Sequence, residues 1–198
     1  MDILINNAGV VQGKALHEMN EKFAGKVMVI NAESHFWLCK EFIEPMMNKN
    51  SGHVVSISSI AGLAGTPGMT DYCASKFAAY GFNEALRVEM KLFKKNVVCT
   101  TICPFYFNSG LFEGVKCSIL YPLLDQKYVA WRTVTAILQN EEEVSIPWSM
   151  GVACHLAKGF FSSSVVDVLE WLLVGYESMV GNFKGRQGDQ NALNVVCK

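Results

Sequence analysis

The chain has 198 residues, 51% of them hydrophobic and 18% charged, which is enough apolar material for one buried core and argues against a disordered chain. Its 17 basic and 18 acidic residues are interspersed and give a net charge of -1, so nucleic-acid binding is disfavoured. The seven cysteines are scattered without zinc-ligand spacing, which predicts free thiols in a reducing compartment and no metal site.

The chain opens on a short apolar run that predicts a strand. Asp2 to Asn6 has the composition of a strand buried on both faces, and it ends at the turn Asn6-Asn7-Ala8-Gly9. From Glu21 to about Met47, apolar residues recur every three or four positions, which predicts one long amphipathic helix. Asn31 lies inside this helix and is either a functional group or a core amide that needs a hydrogen-bond partner.

Strands and helices alternate through the next part of the chain. His53 to Ser58 is rich in β-branched residues and predicts a second strand, and Tyr72 to Phe93 has the pattern of a helix. Asn96 to Cys103 predicts a third strand, which Pro104 ends. Strands joined by crossover helices predict an α/β fold, a doubly wound parallel sheet with flanking helices.

The pattern weakens towards the carboxyl terminus. It predicts a helix, a short edge strand and two more helices over Lys127 to Gln139, Val144 to Pro147, Trp148 to Phe161 and Val165 to Val180. Residues 184–198 form a polar tail, so residues 1–183 are expected to make a single domain. No apolar stretch reaches roughly 18 residues, so we predict no transmembrane helix.

Large apolar residues cluster in the last two predicted helices. Trp148, Phe160-Phe161 and the run Trp171 to Val174 suit peripheral contact with a membrane surface. Packing in the core or in an oligomer contact is the favoured alternative, because large apolar residues usually lie inside.

Tyr72 and Lys76 are four positions apart on a predicted helix, so their side chains share one face and converge. A phenol ionises near pH ~10, and a nearby cation favours the phenolate, so we expect Lys76 to lower the pKa of Tyr72. Ser59 lies 13 residues before Tyr72, at the carboxyl end of a predicted parallel strand, where open α/β sheets place their ligand sites. Its hydroxyl is placed to hydrogen-bond a substrate carbonyl.

Together these positions resemble the short-chain dehydrogenase/reductase family. The matches occur in the family's order, namely Asn6-Asn7-Ala8-Gly9, Asn31, Ile57-Ser58-Ser59 and Tyr72-x-x-x-Lys76. The stretch Cys103 to Lys116 is similar to the 16C subfamily, which includes epidermal retinol dehydrogenase and 17β-hydroxysteroid dehydrogenases. The resemblance implies a Rossmann-like domain, of which this chain carries the carboxyl-terminal catalytic part from the fourth strand onward.

The resemblance also implies a role for each residue. Tyr72 would be the catalytic acid/base and Ser59 would orient the carbonyl or alcohol. Lys76 would bind the nicotinamide ribose and lower the pKa of Tyr72, and Asn31 would hold a water of the proton relay. The implied cofactor is NAD or NADP, and it would lie against Asn6, Ala8, Gly9, Tyr72 and Lys76.

The segment after the third strand departs from the family, which has Pro-Gly there and then a threonine that meets the nicotinamide amide. Here Phe105 stands in place of the glycine, and Ser109 stands in place of the threonine. Phe105 and its apolar neighbours suit a pocket for a retinoid or a steroid, and simple packing of the loop is an equally good interpretation. These neighbours are Leu63, Tyr106 and Phe107.

The family's TGxxxGxG turn, where a helix N-terminus receives the cofactor pyrophosphate, is not found in this sequence. We therefore expect a chain without the family's first three strands, with an unpaired edge at Ile3 to Asn6 and weak cofactor affinity. The resemblance implies a location at the endoplasmic reticulum membrane or lipid droplets. A cytoplasmic location is expected instead if membrane attachment in the family depends on an N-terminal anchor.

Two hypotheses about function follow. The first is an oxidoreductase that interconverts an apolar alcohol, retinol-like or steroid-like, and its aldehyde or ketone, with Tyr72 as proton acceptor during oxidation. The second is a non-catalytic product that acts by dimerising with full-length relatives. Homo- or hetero-dimers would form through the helices predicted at 21–47 and 72–93.

Overall fold

A computed structural model describes residues 1–173 of the chain, and side chains through residue 168. The predicted tail at 184–198 and the end of the helix predicted at Val165 to Val180 lie outside the described residues. The strands are β1 (Ile3–Asn6), β2 (Gly52–Ile57), β3 (Val97–Pro104) and β4 (Glu143–Ile146). The α-helices are α1 (Glu21–Met28), α2 (Ser34–Lys49), α3 (Thr70–Leu92), α4 (Gln126–Leu138), α5 (Trp148–Phe160) and α6 (Ser163–Leu173).

The four strands form one parallel sheet in the order β1-β2-β3-β4. In register, Leu4 pairs with Val54 and Val54 with Cys99, so the strands end at one common edge. Helices α2 and α3 follow β1 and β2 and cross back to the sheet, as parallel connections require. The predicted α/β fold is confirmed, and β4 is the predicted edge strand.

Alternating side chains of the strands face two different helical layers. Leu4, Val54 and Cys99 pack against α2 and α3, where Cys39 and Leu86 complete an apolar layer. The other face of β2 to β4 packs against α4 through Val55, Ile102, Val144, Val129 and Ile137. The result is a three-layer arrangement of helix, sheet and helix.

The prediction that the first strand is buried on both faces is wrong. Leu4 and Asn6 are buried, but Ile3 and Ile5 are 45% and 49% exposed. Ile5 pairs with Val55 and therefore points to the face that carries α4. Helix α4 packs on β3 and β4 and does not reach β1, so this face of β1 is uncovered.

The predicted long helix runs from Glu21 to Lys49, but one turn of it, Val29–Glu33, is π-helical and separates α1 from α2. A π turn contains an extra residue and therefore rotates the face that follows it. Phe36 and Leu38 are among the apolar residues whose spacing predicts the helix, yet both are exposed, and His35 and Cys39 are buried instead. Asn31 lies inside the π turn and is fully buried.

Local side-chain contacts explain where the helices begin. Asn20 caps α1 by accepting a hydrogen bond of 3.0 Å from the Phe23 backbone, and Asp125 caps α4 by accepting from Lys127 and Tyr128.

Within residues 1–173 no disulfide joins any of the cysteines. None of the helices in this part of the chain is both long enough and apolar enough to cross a membrane.

Candidate active site

Helix α3 begins at the carboxyl edge of the sheet and carries Tyr72 and Lys76 one turn apart on a buried face. The Lys76 ammonium donates a hydrogen bond of 2.8 Å to the carbonyl of Ile57, the last residue of β2. The same nitrogen lies 5.6 Å from the centre of the Tyr72 ring. The end of β2 therefore holds the lysine next to the phenol.

Ser59 lies two residues after the end of β2 and is also buried. Its hydroxyl donates to the Pro104 carbonyl at the end of β3, at 3.3 Å, and accepts from the Ala61 backbone at 3.1 Å. The Ser59 side chain also neighbours the Tyr72 hydroxyl and acts on its pKa. The hydroxyl, the phenol and the ammonium thus meet where β2 and β3 end, as the sequence predicts.

Asn31 uses its whole amide to join three segments. Its Oδ1 accepts from the Val10 backbone nitrogen at 2.8 Å, and its Nδ2 donates to the Val10 carbonyl at 2.9 Å and to Ser75 Oγ at 3.0 Å. Val10 belongs to the loop after β1, and Ser75 lies between Tyr72 and Lys76 on α3. Asn31 therefore fixes both the loop and α3.

The loop after β1 passes over Lys76. A Cβ built on Gly9 would lie 3.6 Å from Lys76 Nζ and 3.6 Å from Asn31 Oδ1, so the missing side chain leaves room above the ammonium. Ala8 is exposed on this loop, whereas Asn6 turns inward and donates to Cys39 Sγ at 3.4 Å. The glycine, the exposed backbone and the lysine fit the nicotinamide end of a dinucleotide.

The loop between β3 and α4 covers Tyr72 with aromatic rings. Phe112 meets the Tyr72 ring edge-on at 5.9 Å between centroids, and Tyr106 packs on Phe112 at 5.0 Å and on Phe105 at 4.8 Å. Tyr72 is only 3% exposed beneath this cover. Leu63 belongs to the same cluster.

Two other residues of this loop lie apart from the cluster around Tyr72. Phe107, which the sequence placed in the pocket with Phe105, packs with Ile57 and Leu124 on the α4 face, because residues 107 and 124 form a parallel bridge. Ser109 is half-buried, and its hydroxyl accepts a hydrogen bond from the Leu111 backbone at 3.4 Å. The structure places Phe105 in the same apolar cluster as Tyr72, and Ser109 is not a member of that cluster.

Burial dominates the electrostatics of the site. It raises the pKa of Tyr72, and the neighbouring Ser59 side chain opposes that shift only in part. Burial also lowers the pKa of Lys76 to about 8. From the sequence, Lys76 was expected to lower the pKa of Tyr72. In the structure the ammonium of Lys76 donates a hydrogen bond to the Ile57 carbonyl, and both the ammonium and the phenol are buried away from water. In this closed arrangement the phenol is therefore held in its neutral form.

Several residues of the site escaped the sequence argument. Ser58 donates to the Lys76 backbone carbonyl at 2.8 Å, and Ser75 donates to the Tyr72 carbonyl at 2.7 Å while it accepts from Asn31. Both are adjacent to a predicted site residue, and a hydroxyl next to such a residue was the available signal in the sequence. No such signal marks Phe112 or His35. The fold of the loop between β3 and α4 decides the position of Phe112, and the π turn decides that of His35.

Two clefts lie outside this cluster. One, of about 710 Å³, separates the loop at Thr66 and Pro67 from Lys158 and Phe161 near the ends of α5 and α6. The other, of about 230 Å³, lies at the opposite edge of the sheet beside Asp2. Tyr72 lines neither of them. Among the side chains that the structure describes, through residue 168, no three His, Cys, Asp or Glu side chains are grouped as a metal would need.

The profile of the short chain dehydrogenase family matches residues 1–117. Short-chain dehydrogenase/reductase family 16C member 6 of Bos taurus is 39% identical over 188 residues, which cover 93% of this chain and 59% of that protein. Epidermal retinol dehydrogenase 2 of Homo sapiens is 43% identical over 150 residues, covering 74% of this chain and 48% of the human protein. The chain thus spans roughly half of the length of these relatives.

Solved structures show the same fold. A short chain dehydrogenase/reductase from Burkholderia phymatum in complex with NAD superposes with a TM-score of 0.69 at 21% identity, covering 85% of this chain and 67% of that one. A short-chain dehydrogenase from Sphingobium yanoikuyae in complex with NADPH gives a TM-score of 0.66 at 17% identity, covering 87% and 63%.

Proposed function

Because the chain belongs to the short-chain dehydrogenase/reductase family, we propose that it is a nicotinamide-dependent oxidoreductase that interconverts an apolar alcohol and its carbonyl compound. The observation that carries this proposal is the buried meeting of Ser59, Tyr72 and Lys76 at the carboxyl edge of the parallel sheet. Open α/β sheets place their ligand sites at this edge.

The proposed proton chemistry takes place at the Tyr72 hydroxyl. During oxidation the phenolate form of Tyr72, after its own proton has left through the relay, accepts the proton of the substrate alcohol, and during reduction the phenol returns that proton. Ser59 Oγ hydrogen-bonds the same substrate oxygen and fixes its orientation. The ammonium of Lys76 stabilises the phenolate that forms, since an opposite charge close by favours the ionised form.

NAD or NADP supplies the hydride acceptor when it is bound. The residues proposed to hold its nicotinamide end are Gly9 with the adjacent backbone of Ala8, together with Tyr72 and Lys76. Ser109 is proposed to contact the nicotinamide amide once the loop between β3 and α4 opens. Asn31 is proposed to position the Val10 segment and a water of the proton relay.

The proposed substrate is a retinoid-like or steroid-like alcohol. The cover over Tyr72 is made of apolar and aromatic side chains, including Phe105, Tyr106 and Phe112, which match an apolar substrate once they move apart. One similar protein is named a retinol dehydrogenase. Phe105 is proposed to contact the substrate ring system.

A thermal-shift titration of the purified chain with NAD and with NADP tests cofactor binding, because a ligand that binds only the folded state raises its stability. The proposal expects a midpoint that rises with cofactor concentration, and retinol-dependent reduction of that cofactor. No shift at millimolar cofactor together with no turnover would reject it in favour of a non-catalytic role.

A second candidate function is association with another dehydrogenase subunit, and exposed apolar faces of α2 and α3 favour it. Phe77, Val88 and Leu92 on α3 are 40%, 58% and 73% exposed, and Phe36 and Trp37 on α2 are 51% and 59% exposed. Contiguous apolar surface of this kind marks an interaction site. We infer that two copies, or this chain and a longer relative, pair through these helices.

Sedimentation of the chain tests this pairing. Ala85, an exposed small residue of α3, is changed to Arg in one variant, and Val134, an exposed residue of α4, is changed to Arg in the control. The inference expects a dimer that only Ala85→Arg dissociates, and co-purification with a complete 16C enzyme. A monomeric wild-type chain that captures no such enzyme contradicts it.

We infer a location at the endoplasmic reticulum membrane or lipid droplets. Two aromatic side chains on α5 support contact with a lipid surface, since Trp148 and Phe160 are 73% and 79% exposed. Cell fractionation tests the inference, which expects the chain in the membrane or droplet fraction. Recovery only in the cytosolic fraction contradicts it.

A further inference from the structure

A layer of buried polar side chains separates the apolar core from the active site. On the sheet it consists of Asn6, Ser56 and Thr101, which are register partners on β1, β2 and β3. Each lies two residues after a member of the apolar layer and so points to the same face, towards α2 and α3. We call this set, with the helical residues opposite it, the polar layer.

The helices contribute His35 and Asn83 to the polar layer. His35 lies one turn before Cys39 on α2, and Asn83 lies one turn before Leu86 on α3, so both are displaced from the apolar layer towards the active site. The two side chains are 1% exposed. Asn31 lies one further helical turn before His35, inside the π turn. The polar layer therefore lies directly beneath the site.

Much of the hydrogen-bonding capacity of the polar layer has no protein partner. Six buried side-chain nitrogen or oxygen atoms lack one within the described residues, and five of them belong to this layer. They are Asn6 Oδ1, Ser56 Oγ, Asn83 Oδ1 and both ring nitrogens of His35. Buried polar atoms are almost always hydrogen-bonded, and small internal waters commonly supply the missing partners.

We propose that His35, Asn6, Ser56 and Asn83 enclose an internal water site beneath the active site. The donor and acceptor inventory fits water, because two carboxamide oxygens and one imidazole nitrogen accept, while the other imidazole nitrogen donates and the serine hydroxyl does both. The amide nitrogens of Asn6 and Asn83 are already engaged with Cys39 Sγ and Thr101 Oγ1. A water molecule gives two hydrogen bonds and receives two, so one molecule can bridge the two carboxamide oxygens, the serine hydroxyl and one of the two ring nitrogens, which point away from each other.

The water site has a structural task next to the reacting groups. Ser56 immediately precedes Ile57, whose carbonyl holds the Lys76 ammonium, and the charge of Lys76 acts on His35. Bound water would hold the end of β2 on the side of the polar layer, while the Lys76 ammonium holds it on the side of the active site. His35 is thus a positioning residue, and it acts without touching the substrate.

Water-to-protein nuclear Overhauser effects in the wild-type chain test the proposal without using cofactor or turnover. We expect cross-peaks from a long-lived water to the ring protons of His35 and the side-chain amide of Asn6. Their absence overturns the proposal, whatever the variants below show. Because no dehydrogenase activity is measured, this result is independent of the proposed function.

Ser56→Ala supplies a second readout, since it removes the hydroxyl with little change in volume. If water binds there, the variant leaves that water with one hydrogen bond fewer, and we expect a lower thermal unfolding midpoint. We expect the same direction for Ser58→Ala, which breaks the bond from Ser58 to the Lys76 carbonyl. If the layer is dry, Ser56→Ala removes an unpaired hydroxyl and raises the midpoint, which overturns the proposal.

Discussion

The amide of Asn31 donates a hydrogen bond of 3.0 Å to the hydroxyl of Ser75. This bond joins the π turn to the middle of the segment that runs from Tyr72 to Lys76. Since the same amide is also bonded twice to Val10, one side chain sets the distance between the loop after β1 and the catalytic face of α3.

Asn31→Ala is expected to lower the free energy of unfolding by about 1–3 kcal/mol, because buried partners at Val10 and Ser75 lose their hydrogen bonds. Urea unfolding of the purified variant measures the change. Asn48→Ala, at an exposed position near the end of α2, is the matched control and should have little effect. Equal stability of the two variants would show that the amide network is dispensable.

Tyr72→Phe is expected to lower kcat by roughly 10²–10⁴-fold, since it removes the group that exchanges the substrate proton. Tyr80→Phe is its control, because this phenol lies two turns further along α3 and donates to Glu143 at 2.8 Å, away from Ser59. Steady-state oxidation of retinol with NAD or NADP compares them. Undiminished turnover by Tyr72→Phe would refute the proton-transfer role.

Gly62→Ala is expected to destabilise the fold by about 1–3 kcal/mol through overpacking. A Cβ at Gly62 would lie 2.7 Å from the Lys76 carbonyl oxygen and would crowd Ser58 Oγ, which bonds that same carbonyl. Gly65→Ala, in the same loop, meets no atom within 4 Å and serves as the control. Thermal unfolding of the two variants measures the difference. If Gly62→Ala unfolds at the same temperature as Gly65→Ala, the loop and α3 are less closely packed than the structure indicates.

His35 predicts a pH dependence of stability. Burial, with a smaller contribution from the charge of Lys76, lowers the pKa of His35 from 6.5 to about 4. Between these values the unfolded chain binds a proton that the folded chain does not, so stability falls as pH falls from 6.5 towards 4. The loss is expected to be on the order of 3 kcal/mol at most.

His35→Phe should therefore flatten the dependence of unfolding free energy on pH in that acid range. Denaturant titrations at a series of pH values measure the slope in the variant and in the wild type. His17→Phe, which changes an exposed side chain, should keep the wild-type slope. A slope that survives in His35→Phe would assign the acid sensitivity to other groups.

The sequence predicted those parts of the site that depend on strand ends and helical spacing. Ser59 follows a β-branched strand, and Tyr72 and Lys76 share a helical face, so their convergence follows from the parallel sheet alone. The sequence did not predict the π turn, because one extra residue per turn is a tertiary adjustment around Asn31. That adjustment moved His35 into the interior and Phe36 to the surface.

The remaining errors also have tertiary causes. Spacing alone does not reveal that burial dominates the pKa of Tyr72. The bridge between residues 107 and 124 sends Phe107 to the α4 face, and no local pattern marks such a bridge. Ile5 is exposed because α4 stops short of β1, which is a matter of helix placement.

The edge-on contact between Phe112 and Tyr72 closes the site over the phenol. Under the proposed function, an alcohol from solution would meet the phenol only after the aromatic loop moves away. The frequency of that movement would set an upper limit on turnover. Reagents that nitrate tyrosines should consequently spare Tyr72 while they label the half-exposed Tyr128.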